Sequence, residues 1–180
     1  MLKVSFVCPI FNKEKYLPAV LDALKNQKGQ FKKEYIFVND GSSDNSLACL
    51  KSITKKWKNI KIVSQTNKGP ASATQRAIDL STGDYIKLLG GDDVMSENCT
   101  KILLEVITKN KNVAVFSKYK LVKNLNSNEI KMTVKEWNLM ENFCSPRRPN
   151  SVYFKSDDDK YGMKISLELI VNEWFDNLSP

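Results

Sequence analysis

Five short apolar runs recur along the first 116 residues of the chain, at positions 4–8, 35–38, 60–63, 85–89 and 113–116. Between them, apolar residues return at helical spacing: Leu17, Val20, Leu21 and Leu24; then Leu47, Leu50, Ile53, Thr54 and Trp57; then Ala73, Ala77, Ile78 and Leu80; then Ile102, Leu103, Val106 and Ile107. A strand that is apolar without alternation is buried on both faces. Regular exchange of such strands with amphipathic helices is the pattern of a parallel sheet covered on both sides. The expected architecture is therefore α/β: an open, mostly parallel, Rossmann-like sheet with helices on both faces.

The punctuation agrees with this reading. Pro9 stops the first run, and Pro18 falls where a first helical turn tolerates it. Asn39-Asp40-Gly41-Ser42 follows the second run with turn and cap residues. Pro70 is placed to begin the third helix and Gly83 to end it. Ser96 is expected to cap the fourth. Beyond Lys118 the pattern changes to a small, irregular C-terminal part. Residues 121–125 and 130–134 read as a hairpin around Asn126-Ser127-Asn128, residues 135–143 as a short helix and residues 167–174 as another.

Chemistry is narrowed by a zero: the 180 residues contain no histidine. Ser-His-Asp and Cys-His nucleophilic catalysis, histidine general bases and histidine-ligated zinc are excluded. Cys8, Cys49, Cys99 and Cys144 are scattered without a C-x-x-C pair, which points to neither a zinc knuckle nor a redox motif. Free thiols and an N-terminus without a leader pattern lead to the expectation of a cytoplasmic protein.

The net charge is 28 − 20 = +8, and all but Arg76, Arg147 and Arg148 of the basic residues are lysine. Diffuse lysine reads as solvated surface, and it also attracts nucleotide diphosphates and anionic bilayers, so peripheral membrane contact is compatible with it. Nucleic acid is not expected as a partner, because arginine and aromatic residues are not interleaved and no nucleic-acid motif is present.

In open α/β sheets ligands bind outside the carboxyl ends of the strands. Those positions hold Pro9, Asn12 and Glu14 after the first run, Asn39-Asp40-Gly41 after the second, Asn67-Lys68-Gly69 after the third and Gly90-Gly91-Asp92-Asp93 after the fourth. Adjacent carboxylates repel unless solvated or joined by a cation. Asp92-Asp93 thus suits Mg²⁺ or Mn²⁺, or caps the next helix. Asp40 reads as a turn residue or as an acceptor for a base N–H. Neither G-x-G-x-x-G nor G-x-x-x-x-G-K-[ST] follows a strand, so dinucleotide and P-loop sites are disfavoured.

In order, these pieces resemble family 2 glycosyltransferases, which have the GT-A fold. Val4-Ser5-Phe6-Val7-Cys8-Pro9-Ile10-Phe11-Asn12-Lys13-Glu14 is similar to that family's opening, and Val38-Asn39-Asp40-Gly41-Ser42-Ser43-Asp44 to its V-D-D-G-S-x-D segment. Asn67-Lys68-Gly69-Pro70-Ala71-Ser72-Ala73 resembles N-x-G-x-x-x-A. Gly83-Asp84-Tyr85-Ile86 with Leu89-Gly90-Gly91-Asp92-Asp93 resembles G-D-Y-I…L-D-x-D-D.

The resemblance implies that residues 1–117 form the nucleotide-sugar-binding half of a GT-A domain and residues 118–180 its acceptor side, divergent or truncated. It implies a donor site around Pro9, Asn12, Glu14, Asp40, Gly69 and Asp92, with Asp40 on the base, commonly uracil. Asp92 and Asp93 would hold Mn²⁺ or Mg²⁺ against the donor diphosphate. The implied activity is inverting transfer of a sugar, most readily from a UDP-sugar, to a hydroxyl on a glycan, lipid-linked or other acceptor.

Three positions depart from the family pattern. Gly90 stands where many members carry the first Asp of D-x-D-D, Asn39 replaces another frequent Asp, and Thr74-Gln75 stand where Arg-Asn is common. No segment matches the family's general base, for which Asp159 and Glu168, near Asp157 and Asp158, are the candidates. The alternative is a GT-A-like protein that binds the donor and lacks a proper base.

Overall fold

A computed structural model describes residues 1–109 and 114–115. Four strands form one sheet in the order β3-β2-β1-β4: β1 (Lys3–Ile10), β2 (Lys32–Asp40), β3 (Ile60–Gln65) and β4 (Tyr85–Leu88). Every pairing is parallel. The helices α1 (Leu17–Lys25), α2 (Ser46–Thr54), α3 (Pro70–Asp79) and α4 (Cys99–Ile107) alternate with them. Of the fifth run at 113–116 only residues 114 and 115 are described, and neither is assigned to a strand; the hairpin, the later helices, Asp157, Asp158 and the base candidates Asp159 and Glu168 lie outside the described residues.

Both sheet faces are buried, and strand periodicity divides the residues between them. Val4, Phe6, Cys8 and Ile10 of β1 join Tyr35 and Phe37 of β2 in one cluster with Leu17, Val20, Leu21 and Leu24 of α1, Leu50 of α2 and Cys99 of α4. Val7, Ile36 and Val38 point the other way, onto Ala73 and Ala77 of α3. The two alanines let α3 lie close to the strands. On the first face the rings of Phe6 and Tyr35 stack at 5.7 Å, and Trp57 meets Tyr35 at 4.6 Å.

Two local expectations are corrected. Trp57 is not part of α2, which ends at Thr54, and Ile53 is exposed at 39%. The helix turns Ser46, Leu50 and Thr54 inward, and Trp57 reaches the core from the turn beyond. Nor does Ser96 cap α4. That helix starts at Cys99 after Asn98, with no side-chain cap. The carbonyl of Ser96 accepts from the Cys99 N–H at 3.1 Å and from Gln27 Nε2 at 2.7 Å. Gln27 Oε1 in turn accepts from the N–H and hydroxyl of Thr100, so one buried amide after α1 pins the start of α4.

At the amino end of the sheet, Glu34 is a buried carboxylate with a full set of partners. It accepts from Ser5 Oγ at 2.6 Å and from the Thr82 N–H and hydroxyl, each at 2.8 Å, and Lys61 Nζ stands 3.4 Å away. It ties β1 and β2 to the turn that leads into β4. The opposite, carboxyl edge is left to the loops that carry the candidate site.

Candidate functional site at the carboxyl edge

Because the four strands are parallel, their carboxyl ends share one edge, in the order β3, β2, β1, β4. Asp40 closes β2 and pairs in register with Gln65, the last residue of β3. It is 2% exposed. Its Oδ1 accepts from Gln65 Nε2 at 2.8 Å and from the Lys68 N–H at 2.9 Å. Both side-chain bonds fall on that one oxygen. Gly41 follows with φ +70°, and a Cβ there would stand 2.8 Å from the Asn67 backbone nitrogen. The absent side chain lets the 66–69 loop close down on Asp40.

Asn12 and Glu14 hold the loop after β2. Asn12, itself at φ +53°, takes the Ser43 N–H on Oδ1 at 2.9 Å and donates its own N–H to Ser42 Oγ at 3.1 Å. Glu14 takes the Asn45 N–H on Oε2 at 3.2 Å, and its own N–H goes to Asp44 Oδ2. Asn12 is exposed and Glu14 half-buried. Pro9 lies opposite Val38 near the end of β1. Gly69, at φ +85°, is the residue before α3, and no atom lies within 4 Å of where its Cβ would be.

Asp92 and Asp93 are both exposed on the loop after β4. Asp93 Oδ2 accepts the Gly90 N–H at 2.6 Å, and the Asp93 N–H returns to the Gly90 carbonyl at 3.2 Å, so Asp93 closes its own turn. Asp92 is paired instead with Lys13, whose Nζ stands 2.5 Å from Oδ2. The Lys13 stem crosses directly over Gly91, where a Cβ would come within 2.9 Å of its Cγ. The Lys13 N–H is anchored on Ser46 Oγ at 2.8 Å, and its Nζ also lies 5.8 Å from the Tyr16 ring centre. Beneath the loop, burial first, then the negative charges of Asp93 and Asp92, push the Cys8 thiol well above its usual range. Cys8 stays protonated and is no nucleophile.

Two participants were missed by reading the sequence for acids and glycines. Lys13 lies between two residues that were singled out, but its partner is 79 positions away. Gln65 could have been found by counting to the end of the third strand, where parallel register sets it across from Asp40. Beside these residues, Lys68, Ser72, Gln75 and Arg76 line an open depression of about 580 Å³ between the end of β3 and α3.

The site's donor set bears directly on a metal. Among the described residues no group of three or more metal-ligating side chains comes together. Two exposed carboxylates on one loop, one already tied to a backbone N–H and one to a lysine, do not make a closed cage. They fit Mg²⁺ or Mn²⁺, which bind through one or two carboxylates and complete their octahedron with water and substrate phosphate.

An open parallel sheet with acidic loops on its carboxyl edge places the molecule among the GT-A folds. The structure of the mannosyltransferase PcManGT from Pyrobaculum calidifontis with GDP-Man and Mn²⁺ shares this fold, with a TM-score of 0.59 at 17% identity over 71% of this chain and 37% of that one. S. aureus TarS 1–349, solved with UDP-GlcNAc, matches with a TM-score of 0.52 at 25% identity over 58% of this chain and 32% of that one. The model of glycosyl transferase family 2 matches residues 5–168, and the chain belongs to that family. An uncharacterized glycosyltransferase of Haemophilus influenzae is 32% identical over 130 residues, which are 72% of this chain and 51% of that protein. The poly(ribitol-phosphate) beta-glucosyltransferase of Bacillus spizizenii is 35% identical over 96 residues, 51% of this chain and 15% of that protein. The chain thus spans about half of the first relative and much less of the second.

Proposed function

We propose that this chain binds a nucleotide-sugar donor, most readily a UDP-sugar, and serves in inverting transfer of the sugar to an acceptor hydroxyl on a glycan or lipid-linked molecule. The observation that supports the reading is that Asp40, Asp92 and Asp93, far apart in sequence, all lie at or just beyond the carboxyl ends of strands on one edge of a parallel sheet. TarS, which shares the fold at 25% identity, was solved with UDP and with UDP-GlcNAc. In this reading Asp40 accepts the base N–H on Oδ2, the oxygen not used by Gln65 and Lys68. Pro9, Asn12, Glu14 and Gly69 border the nucleoside.

Asp92 and Asp93 would hold Mn²⁺ or Mg²⁺ beside the diphosphate. Such an ion supplies Lewis-acid neutralisation of the departing nucleoside diphosphate. The acceptor oxygen attacks the anomeric carbon as the bond to the diphosphate breaks, and its proton passes to a carboxylate base, proposed as Asp159 or Glu168. Attack from the side opposite the leaving group inverts the anomeric centre. The chain itself contributes orientation of the donor.

Cys8, Cys49 and Cys99 are free thiols, which agrees with a cytoplasmic protein. Among the described residues no helix is long and apolar enough to cross a membrane. Exposed Lys25, Lys32, Lys55, Lys56 and Lys58, near the amino ends of β2 and β3, support a peripheral contact with an anionic surface.

The test is thermal unfolding with UDP, GDP and dTDP, with and without Mn²⁺, followed by a panel of the matching sugar nucleotides scored for release of nucleoside diphosphate. A ligand at 100 times its Kd stabilises by about 2.7 kcal/mol. A stabilising nucleoside diphosphate, and its metal-dependent release from the sugar donor, are expected. No stabilisation by any of the three would overturn the reading. Binding without release would leave a donor-binding module that lacks its base.

A further inference from the structure

Asp40 does not stand alone. Arg76, on the exposed side of α3, donates from Nη1 to the Ser64 carbonyl at 3.1 Å and to Gln65 Oε1 at 3.3 Å. Gln65 passes the polarity on, donating from Nε2 to Asp40 Oδ1 at 2.8 Å. The chemistry of the groups allows one orientation only. A guanidinium has donors alone and a carboxylate has acceptors alone, so the amide between them must turn its oxygen to Arg76 and its nitrogen to Asp40. Without Arg76 the amide keeps its bond to Asp40 but loses the anchor on its oxygen, so Gln65 no longer holds Asp40 Oδ1 in one place.

We infer that Gln65 and Arg76 are positioning residues that make Asp40 a reader of the nucleotide base. They hold Oδ1 so that Oδ2 is left for the ligand as an acceptor only. The inference rests on the reading above that Asp40 meets the base. An acceptor in a fixed place selects a base with a ring N–H. Uracil carries hydrogen on N3 and cytosine carries a lone pair there, so the carboxylate attracts the first and repels the second. The relay thus sets discrimination between uracil and cytosine nucleotides rather than affinity for phosphate. Gln65 is in register with Asp40, and Arg76 reaches it from α3, nearly two turns beyond the helix start.

The test is calorimetric titration of UDP, CDP and inorganic pyrophosphate into the wild type and the Arg76→Met, Arg76→Lys and Gln65→Leu variants, with Tm measured for each. Arg76 is exposed and Gln65 half-buried, so neither replacement opens a core cavity. The wild type is expected to bind UDP at least about tenfold tighter than CDP. In Arg76→Met and Gln65→Leu the UDP Kd should rise roughly tenfold, the worth of one well-placed hydrogen bond to a charged group. CDP and pyrophosphate should bind as before. Tm should hold in Arg76→Met and fall modestly in Gln65→Leu, where buried Asp40 loses a partner. Arg76→Lys, which keeps a donor, should recover part of the discrimination. If the wild type prefers UDP and both disrupting variants keep that preference, the relay is overturned while the donor reading stands. If the wild type itself binds UDP no better than CDP, the assignment of Asp40 to the base falls first.

Discussion

Lys13 Nζ lies 2.5 Å from Asp92 Oδ2, so a carboxylate proposed to meet a divalent cation already holds a monovalent one. The lysine is placed by Ser46 at its backbone and by the room that Gly91 leaves for its stem. The pair is partly solvated, with 31% of the Lys13 side chain and 44% of the Asp92 side chain exposed. Partly exposed pairs contribute about 1 kcal/mol or less to stability. Replacing Lys13 with Met should therefore lower stability little. It should strengthen Mn²⁺ binding to the nucleotide-free protein severalfold, because the site then presents two uncompensated carboxylates. Titration of Mn²⁺ followed by electron paramagnetic resonance reads this directly. Equal affinity in wild type and Lys13→Met would show that the lysine does not compete for Asp92.

Gly41 makes a sharper prediction, since its constraint is steric. A non-glycine residue at φ +70° costs about 1–2 kcal/mol on its own, and the added Cβ would also meet a backbone nitrogen at 2.8 Å. Backbone cannot swing away as a side-chain tip can. Gly41→Ala should destabilise by at least about 2 kcal/mol in urea unfolding. It should also weaken UDP binding, because displacing Asn67 withdraws the Lys68 N–H from Asp40. A loss of less than about 0.5 kcal/mol would mean that the 66–69 loop yields more easily than its packing suggests.

Glu34 should make the fold sensitive to acid. Burial works to raise its pKa, but the hydrogen bonds from Ser5 and Thr82 and the charge of Lys61 outweigh burial and lower it to about 2, from an ordinary 4.5. A depressed carboxyl favours the folded state above the unfolded pKa, because the unfolded chain binds the proton more readily. The contribution is complete above roughly pH 4.5 and is lost as pH falls toward 2. If fully expressed it amounts to about 3 kcal/mol. Urea midpoints measured between pH 7 and pH 3 should fall over that window in the wild type. Glu34→Gln should be less stable at neutral pH and should show a flatter pH profile. A wild-type midpoint that does not move between pH 5 and pH 3 would remove Glu34 from this role.

The edge that gathers Asp40 and Asp92-Asp93 was legible from the sequence, for one physical reason. Apolar strands that alternate with helices must run parallel, and parallel strands deliver their carboxyl ends to one side. What joins those ends was not legible. Whether Lys13 reaches Asp92 depends on the relative heights of two loops, and the bonds by which Asn12 and Glu14 hold the 42–45 loop join residues about thirty positions apart. Ser96 looked like a cap because it precedes an apolar run, whereas Gln27, nearly seventy residues earlier, takes its carbonyl. Ile53 fitted the helical period of α2, but the helix turns the face of Ser46, Leu50 and Thr54 inward and leaves Ile53 beside it exposed.

Asp93 allows structure and chemistry to be separated at a single position. Its Oδ2 accepts the Gly90 N–H at 2.6 Å, a role that an amide oxygen can fill as well as a carboxylate. Its proposed role toward a divalent ion requires the charge. Asp93→Asn should keep the turn and leave Tm near the wild-type value while abolishing most of the Mn²⁺-dependent gain in UDP affinity. Asp93→Ala should lose that gain and also about 1 kcal/mol of stability, because the turn loses its side-chain acceptor. Calorimetry with UDP in the presence of Mn²⁺ and of EDTA, together with thermal unfolding, separates the two effects. Should Asp93→Asn retain the full Mn²⁺ dependence, the carboxylate serves the turn alone, and Asp92 with Lys13 would have to account for whatever the metal does.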